Sequence, residues 1–193
     1  PGVELRFLDW KLYARTDRLY VKSFCDERAS RFLIVIDDTP SMRYPSDGPT
    51  KMDLACELAT GIAYLASQRQ KDAVNLSTLS GISARRREEY RSFGAIFSQL
   101  QKLNSLAPDF SAADRPISEP LSKLDLQLPT TVILISDLYE EPASLIQLSR
   151  KARRAGHECW FLHLMSKDEI ALPYENLSNF IDVESGRKLQ LDP

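Results

Sequence analysis

Two continuous apolar runs, residues 32–36 and residues 132–135, dominate the hydrophobic pattern of the chain. Both are rich in β-branched side chains and too short for a free-standing helix. Each therefore predicts a strand that is buried on both faces, as in a parallel sheet. Aspartates follow where the runs end, Asp37 after the first and Asp137 after the second. Because open α/β sheets bind ligands at the carboxyl ends of their strands, these two carboxylates are typical of a site.

A long helix is predicted after the first run. Thr50 is a favourable N-cap, and Asp53 three residues later makes an approximate capping box. Large and small apolar residues share one broad face of this helix: Leu54, Ala55, Leu58, Ala59, Ile62, Ala63, Leu65 and Ala66. Small residues along such a face let a helix lie close on a sheet. Residues 73–79 predict the next strand, which gives a right-handed βαβ unit with parallel strands.

The rest of the chain continues this alternation. Helical spacing predicts one core stripe, made of Tyr90, Phe93, Ile96, Phe97, Leu100 and Leu103. A short helix is predicted near residue 118, with Leu121 and Leu124 inward. A longer helix is predicted from Pro142 until Gly156 ends it, with Leu145, Ile146 and Leu148 inward. Residues 157–164 predict a strand, residues 166–178 a linking loop, and residues 180–183 and 188–191 a final strand with a short hairpin or edge. Residues 1–30 predict a packed arm that includes a strand over residues 19–24.

These elements predict an α/β fold, with a doubly wound, mostly parallel sheet, helices on both faces and a small N-terminal strand extension. The two strands that end in aspartate should lie side by side at the topological switch point. Asp37 and Asp137 would then face each other across one crevice, with Thr39 and Ser41 beside them. Such hard oxygen donors suit Mg²⁺ or Mn²⁺. The alternative is a strand end capped by turn-forming residues, in which Asp38 or Thr39 bonds nearby backbone amides.

Composition limits the classes of protein to consider. The chain has 193 residues, of which 43% are hydrophobic and 27% charged, as is ordinary for one globular domain. A formal net charge of −2 gives no support to non-specific nucleic-acid binding. No apolar run approaches the roughly 20 residues of a membrane span. Cys56 and Cys159 lie in apolar segments, like small core residues of a reducing compartment, so we expect a cytoplasmic protein. Because the chain begins at Pro1 rather than Met, we expect it to be the ordered part of a longer protein.

Two basic clusters have local explanations. The arginine triplet at residues 85–87 is followed by Glu88 and Glu89, which favours a solvated helix start with local charge pairs. The basic residues between 150 and 154 lie in the last turns of a predicted helix, where they complement the helix dipole. We therefore expect no nucleic-acid partner and no membrane contact by this part of the chain.

The acidic loop resembles a known motif. Residues 37–41 are similar to the Asp-x-Ser-x-Ser motif of the metal-ion-dependent adhesion site in von Willebrand factor A domains, with Thr39 in the first hydroxyl position. Asp137 matches the later aspartate of that site. Over nearly its full length, the chain resembles a bacterial family of uncharacterised von Willebrand factor A-like proteins that are often encoded beside MoxR-type AAA+ ATPases. The segments that carry this likeness are residues 8–15, 19–22, 135–138, 155–157 and 182–186.

The resemblance implies an N-terminal arm with flanking strands over residues 1–30 and a von Willebrand factor A-like domain over residues 31–193. The third motif of the adhesion site normally supplies a threonine, but the matching stretch, residues 111–115, has Ala113 there. The metal ligands that the resemblance implies are Asp37, Thr39, Ser41, Asp137 and Asp114. Because the threonine is missing, we expect Mg²⁺ or Mn²⁺ to bind weakly or not at all.

The function that follows from this resemblance is that of a non-enzymatic protein-interaction module. A bound cation would leave a coordination position for an acidic side chain, and the resemblance implies an AAA+ ATPase partner and a client that carries such a residue. A metal-free scaffold of the same fold is one alternative. An Mg²⁺-dependent phosphoryl-transfer enzyme is another, but Thr39 stands where one such class needs a second aspartate, and the sequence has no Gly-rich phosphate loop.

Overall fold

The computed structural model describes residues 10–20, 30–45, 47–67, 72–83, 88–90, 92–105, 116–171, 178–181 and 187–191. The helices in these ranges are α1 (Trp10–Thr16), α2 (Lys51–Ser67), α3 (Leu79–Ser83), α4 (Phe93–Ser105), α5 (Ser118–Ser122), α6 (Pro142–Arg154) and α7 (Lys167–Ala171), with a 3-10 turn at Pro40–Arg43. The strands are β1 (Arg31–Ile36), β2 (Ala73–Thr78), β3 (Glu88–Tyr90), β4 (Thr131–Ser136), β5 (Glu158–His163), β6 (Ser178–Ile181) and β7 (Lys188–Leu191).

The main sheet has the strand order β3-β2-β1-β4-β5. Strand β1 pairs in parallel with β2 on one side and with β4 on the other, and β4 pairs in parallel with β5. Only the short strand β3 runs antiparallel among the described strands of this sheet. Strands β6 and β7 form a separate antiparallel pair. After β1, the chain first adds β2 and β3 on one side of this strand and later adds β4 and β5 on its other side. The predicted switch point between β1 and β4 is therefore confirmed.

Helices cover both faces of the sheet, as a doubly wound fold requires. Ile34 and Ile36 point to one face, where they pack with α2 and α4. Leu33 and Val35 point to the other face, where they pack with α3, α5 and α6. All four side chains are buried, because a central parallel strand has no solvent-facing side. The predicted fold class is therefore confirmed.

The predicted apolar face of α2 was too broad. Its buried small residues are Ala55, Cys56, Ala59, Ala63 and Ala66. Leu54 and Leu65 lie on the exposed side of the helix, Leu65 with 70% of its surface accessible. The helix lies close enough to the sheet that alanine side chains fill the space between them.

Three other element predictions were wrong in part. Tyr90 belongs to β3, where it pairs with Val74, and α4 begins after it at Phe93. Phe97 on α4 and Ile146 on α6 were expected inside but are exposed. The predicted linking loop over residues 166–178 contains the short helix α7.

The N-terminal arm differs from its prediction as well. Residues 10–16 form α1, and none of its residues is buried, although Trp10 and Tyr13 contact each other edge to face at 6.2 Å between ring centroids. Leu19 and Tyr20 are not in a strand, and the rest of the strand predicted over residues 19–24 lies outside the described residues. Cys25, the triplet at residues 85–87 and the segment at residues 111–115 also lie outside them. The boundary at residue 30 stays a prediction.

Candidate functional site

The candidate site lies where the two central strands end. Asp37 follows β1 directly, and Asp137 follows β4. The two strand ends are tied together by a backbone hydrogen bond of 3.0 Å from Asp37 N to Ile135 O. Both aspartates are buried. The sequence predicted this neighbourhood because each buried run ended in a carboxylate.

Hydroxyl and amide groups surround the Asp37 carboxylate. Its Oδ1 atom accepts hydrogen bonds from Thr39 N at 3.0 Å and Thr39 Oγ1 at 2.7 Å. Its Oδ2 atom accepts one from Ser136 Oγ at 2.5 Å. Burial raises the pKa of Asp37, these hydrogen bonds act against that rise, and the nearby charge of Asp137 adds to it. Thr39 Oγ1 lies 3.1 Å from Ser41 Oγ, so oxygens of Asp37, Thr39 and Ser41 converge.

A buried lysine completes the site, and sequence reasoning missed it. Lys51 is the first residue of α2, and its side chain is only 3% exposed. Its Nζ atom donates hydrogen bonds to Asp137 Oδ2 at 2.8 Å and to Glu169 Oε1 at 2.6 Å. Burial on its own would lower the pKa of Lys51, but the hydrogen bonds to these two carboxylates outweigh it and raise the pKa. The ring of Tyr44 lies 5.9 Å from the same ammonium.

Glu169 reaches the lysine from α7. Its position is fixed by a capping box, in which Ser166 N donates to Glu169 Oε2 at 2.6 Å and Glu169 N donates to Ser166 Oγ at 3.2 Å. Partial burial opposes ionisation of Glu169, but the hydrogen bond from Lys51 outweighs it and lowers the pKa of this carboxyl. Since the sequence predicted a loop at this position, Glu169 was not foreseen as part of the site.

The predicted capping box of α2 is present and orients Lys51. Thr50 N donates to Asp53 Oδ2 at 2.7 Å, and Asp53 N donates to Thr50 Oγ1 at 3.1 Å. Asn104 Nδ2, on α4, donates to the other Asp53 oxygen at 2.8 Å. The hydrogen bond from the Thr50 amide is the main cause that lowers the pKa of Asp53. The start of α2 is therefore held on two sides.

Asp38 turns away from the crevice. Its carboxylate accepts hydrogen bonds from Ser80 Oγ and, at 3.2 Å, from Ser80 N at the start of α3. It therefore links the loop after β1 to the end of β2 by a contact that spans 42 positions of sequence, rather than by capping its own turn.

Comparison with known proteins places the chain in a family. Residues 1–193 match the family described as "Protein of unknown function DUF58". The chain belongs to the DUF58 family. Curated relatives include the uncharacterised proteins Mb1516 of Mycobacterium bovis and Rv1480 of Mycobacterium tuberculosis, each 24% identical over 201 residues. The match covers 100% of this chain and 61% of each relative, so the chain spans less than two thirds of their length.

Two solved structures share the fold of this DUF58 chain. One is an aerotolerance-related membrane protein from Bacteroides fragilis, with a TM-score of 0.51 and 14% identity, covering 85% of this chain and 82% of that one. The other is BatB from Bacteroides thetaiotaomicron, with a TM-score of 0.52 and 13% identity, covering 85% and 80%. These likenesses establish a von Willebrand factor A-like α/β fold. Within the described residues of this chain, no helix has the length and apolar character needed to cross a membrane.

The donor set of the DUF58 crevice suits a divalent ion only in part. The oxygens of Asp37, Thr39 and Ser41 converge and are of the kind that Mg²⁺ prefers. The carboxylate of Asp137 already holds the Lys51 ammonium at 2.8 Å, and a second cation beside it would be repelled. With Lys51 in this position, the described residues therefore do not fit a divalent site that uses Asp137 as a ligand. Ala113 and Asp114 lie outside the described residues, and the metal-binding role of the predicted ligands stays a prediction.

An apolar cavity of about 210 Å³ lies apart from this crevice, between α5, α6 and β5. Leu121, Leu148, Lys151 and Trp160 are among the residues that line it, and none of the candidate site residues does. Within the described part of the chain, no group of three or more histidine, cysteine, aspartate or glutamate side chains is arranged to hold a metal ion.

Proposed function

We propose that this chain is a non-enzymatic protein-interaction module, with the crevice at the ends of β1 and β4 as the centre of its contact surface. The observation that carries the proposal is the loop after Asp137. Tyr139, two residues beyond that buried aspartate, is 82% exposed. Tyrosines that a rigid framework presents to solvent are frequent hot spots of protein interfaces.

The loop that presents Tyr139 is held in one conformation. Leu138 has a φ of 52°, a value that a bulky residue rarely adopts and that surrounding contacts must maintain. Its amide donates to Ser136 Oγ at 2.9 Å, and the same hydroxyl binds Asp37. Glu140 is fixed in turn by Ser118, whose amide donates to Glu140 Oε2 at 2.8 Å. Because the loop is ordered before binding, a partner would lose little free energy in ordering it.

Burial argues against the phosphoryl-transfer alternative. Such an enzyme needs a carboxylate that a phosphate group can reach, often with a lysine beside it. Lys51 does lie beside Asp137, but Asp37 is 1% exposed and Asp137 6% exposed. Both carboxylates are engaged by neighbouring side chains. The arrangement supports a structural charge cluster beneath a contact surface.

The proposed partner is a MoxR-type AAA+ ATPase, with a client protein that carries an acidic residue. This step rests on the resemblance to proteins encoded beside such ATPases. We propose that the pair acts in the cytoplasm, in maturation or assembly of other proteins. Any divalent cation in the crevice is proposed to bind weakly, and a metal-free scaffold would use the same surface.

The test is a binding titration of the full-length protein against the MoxR-type ATPase of the same organism, by biolayer interferometry. Tyr139→Ala should raise the dissociation constant by roughly ten-fold or more, as loss of a hot spot does. Trp160→Ala is the matched control, because Trp160 is an exposed aromatic residue on β5, 57% accessible and away from the crevice. Trp160→Ala should change the dissociation constant less than about three-fold, because a residue outside the contact surface contributes little to binding. Equal effects of the two variants would place the interface elsewhere, and no binding by the wild type would remove the ATPase from the proposal.

A further inference from the structure

We propose that Lys51 is the built-in cation of this crevice, taking the place beside Asp137 that the adhesion-site motif gives to a divalent metal ion. The crevice is then assembled without metal. Lys51 has this role whichever partner uses the surface, so its test is independent of the ATPase experiment.

The position of Lys51 is unusual for a surface lysine. It is the first residue of α2, where the positive end of the helix dipole disfavours a cation. The side chain is also withdrawn from water, with 3% of it exposed, and a buried ammonium needs charged partners. Both costs are offset only if the surrounding carboxylates require a positive charge.

Two carboxylates meet at this ammonium. Asp137 approaches from the end of β4 at 2.8 Å, and Glu169 approaches from α7 at 2.6 Å. The Asp137 side chain is 4% exposed and that of Glu169 is 28% exposed. Asp137 therefore contacts the lysine from the protein interior, and Glu169 contacts it from the side nearer to solvent. One nitrogen atom thus bridges two acidic groups from different elements, as a metal ion would.

Asp37, a second acidic member of the predicted metal site, has no need of a cation. Hydroxyl groups of Thr39 and Ser136 and the amide of Thr39 already donate to its two oxygens. The two aspartates are therefore satisfied by different means, one by neutral donors and the other by Lys51. A divalent ion that bound both would have to displace these hydroxyl bonds and the ammonium together.

The elements that carry the bridge are each held independently. Thr50 and Asp53 fix the start of α2, and Ser166 fixes Glu169. Asp137 follows the central strand β4. Moving the Lys51 ammonium out of the crevice would break both of its ion pairs, so Lys51 should exclude Mg²⁺ under ordinary conditions.

The experiment is isothermal titration of Mg²⁺ and of Mn²⁺ into the wild type, Lys51→Met and Lys123→Met. Lys123 is the matched control, because it also pairs with a glutamate, Glu119, but on the exposed surface. The wild type and Lys123→Met should show no binding below millimolar concentrations. Lys51→Met, which leaves the carboxylates without their cation, should bind at least ten-fold more tightly and gain thermal stability from Mg²⁺.

A wild type that binds Mg²⁺ as tightly as Lys51→Met would overturn the proposal, and so would a folded Lys51→Met that binds neither ion. If Lys51→Met does not fold even with Mg²⁺ present, nitrogen-15 NMR of the wild-type lysine ammonium groups decides. A Lys51 signal that is protected from exchange and unaffected by Mn²⁺ supports the assignment. A signal that is broadened by Mn²⁺ at micromolar concentration contradicts it.

Discussion

The Nζ atom of Lys51 lies 2.8 Å from the Oδ2 atom of Asp137, and 86 positions of sequence separate the two residues. Their side chains are 3% and 4% exposed. Removing one partner of such a pair leaves an uncompensated buried charge, which is far more costly than the pair itself is stabilising. The contact therefore makes the packing of α2 against the end of β4 sensitive to a single charge.

Lys51→Met should lower the free energy of unfolding by roughly 3–5 kcal/mol, because it leaves Asp137 buried without a cation. Lys123→Met, at the exposed pair with Glu119, should cost less than about 1 kcal/mol. Urea denaturation of both variants at one pH measures the difference. Similar losses in the two variants would mean that Lys51 is better hydrated than its burial indicates.

Ser136→Ala should destabilise the fold through two groups at once. The Ser136 hydroxyl donates to Asp37 and accepts from the amide of Leu138, and Ser136 itself is fully buried. Each buried group left without a partner costs about 1–3 kcal/mol, so the total loss should exceed about 2 kcal/mol. Ser149→Ala is the control, because that hydroxyl donates to a carbonyl within its own helix. Thermal melts compare them, and equal shifts would contradict the prediction.

The start of α2 should weaken in acid. Hydrogen bonds, first of all the one from the Thr50 amide, lower the pKa of Asp53 in the folded protein. Its contribution to stability is thus present above the unfolded pKa and is lost as the pH falls through the folded pKa. Asp53→Asn should reduce stability at neutral pH by about 0.5–2 kcal/mol. The difference in free energy of unfolding between the wild type and Asp53→Asn should become smaller as the pH is lowered. Urea denaturation at several pH values measures it.

Glu57→Gln, on the exposed side of the same helix, is the control for that titration. It removes one carboxylate without touching the capping box. A gap between wild type and Asp53→Asn that stays constant from neutral to acidic pH would show that the charge of Asp53 is not what holds the cap.

The alanine face of α2 should tolerate no enlargement. Ala59 is fully buried against the sheet, so Ala59→Leu should cost about 1–3 kcal/mol through overpacking. Leu65→Ala, on the exposed side, should change stability by no more than about 0.5 kcal/mol. Guanidinium denaturation of the two variants measures both changes in the free energy of unfolding. If hydrophobicity alone decided stability, Ala59→Leu would stabilise the protein and Leu65→Ala would destabilise it.

The central strands and their aspartates could be predicted because the signal is local and redundant. A continuous apolar run such as residues 32–36 has few interpretations, and a carboxylate at its end marks the ligand edge of the sheet. The face of α2 was harder, since periodicity does not tell whether Leu65 or Ala66 points to the sheet. The distance between α2 and the sheet decides which residue points inward, and that distance is set by how the layers pack together.

Lys51 and Glu169 could not be paired from sequence, because their contact depends on where α7 returns over the strand ends. One signal was available, however. A lysine at the first position of a helix opposes the dipole there, and such a residue needs an acidic partner from elsewhere in the fold. Tyr90 was misplaced for a related reason. Its spacing fits the helical pattern of α4, and only pairing with β2 in the folded protein makes it part of a strand.

The hydrogen bond between Ser136 and Asp37 spans 99 positions of sequence. During synthesis, the acidic loop leaves the ribosome well before the strand that completes its surroundings. At translation rates of about 5–20 residues per second, the loop waits for about 5–20 seconds with its carboxylates in water. A partner that recognises the finished crevice would therefore ignore nascent or truncated chains that end before Ser136, and its binding would report that synthesis had passed the second central strand.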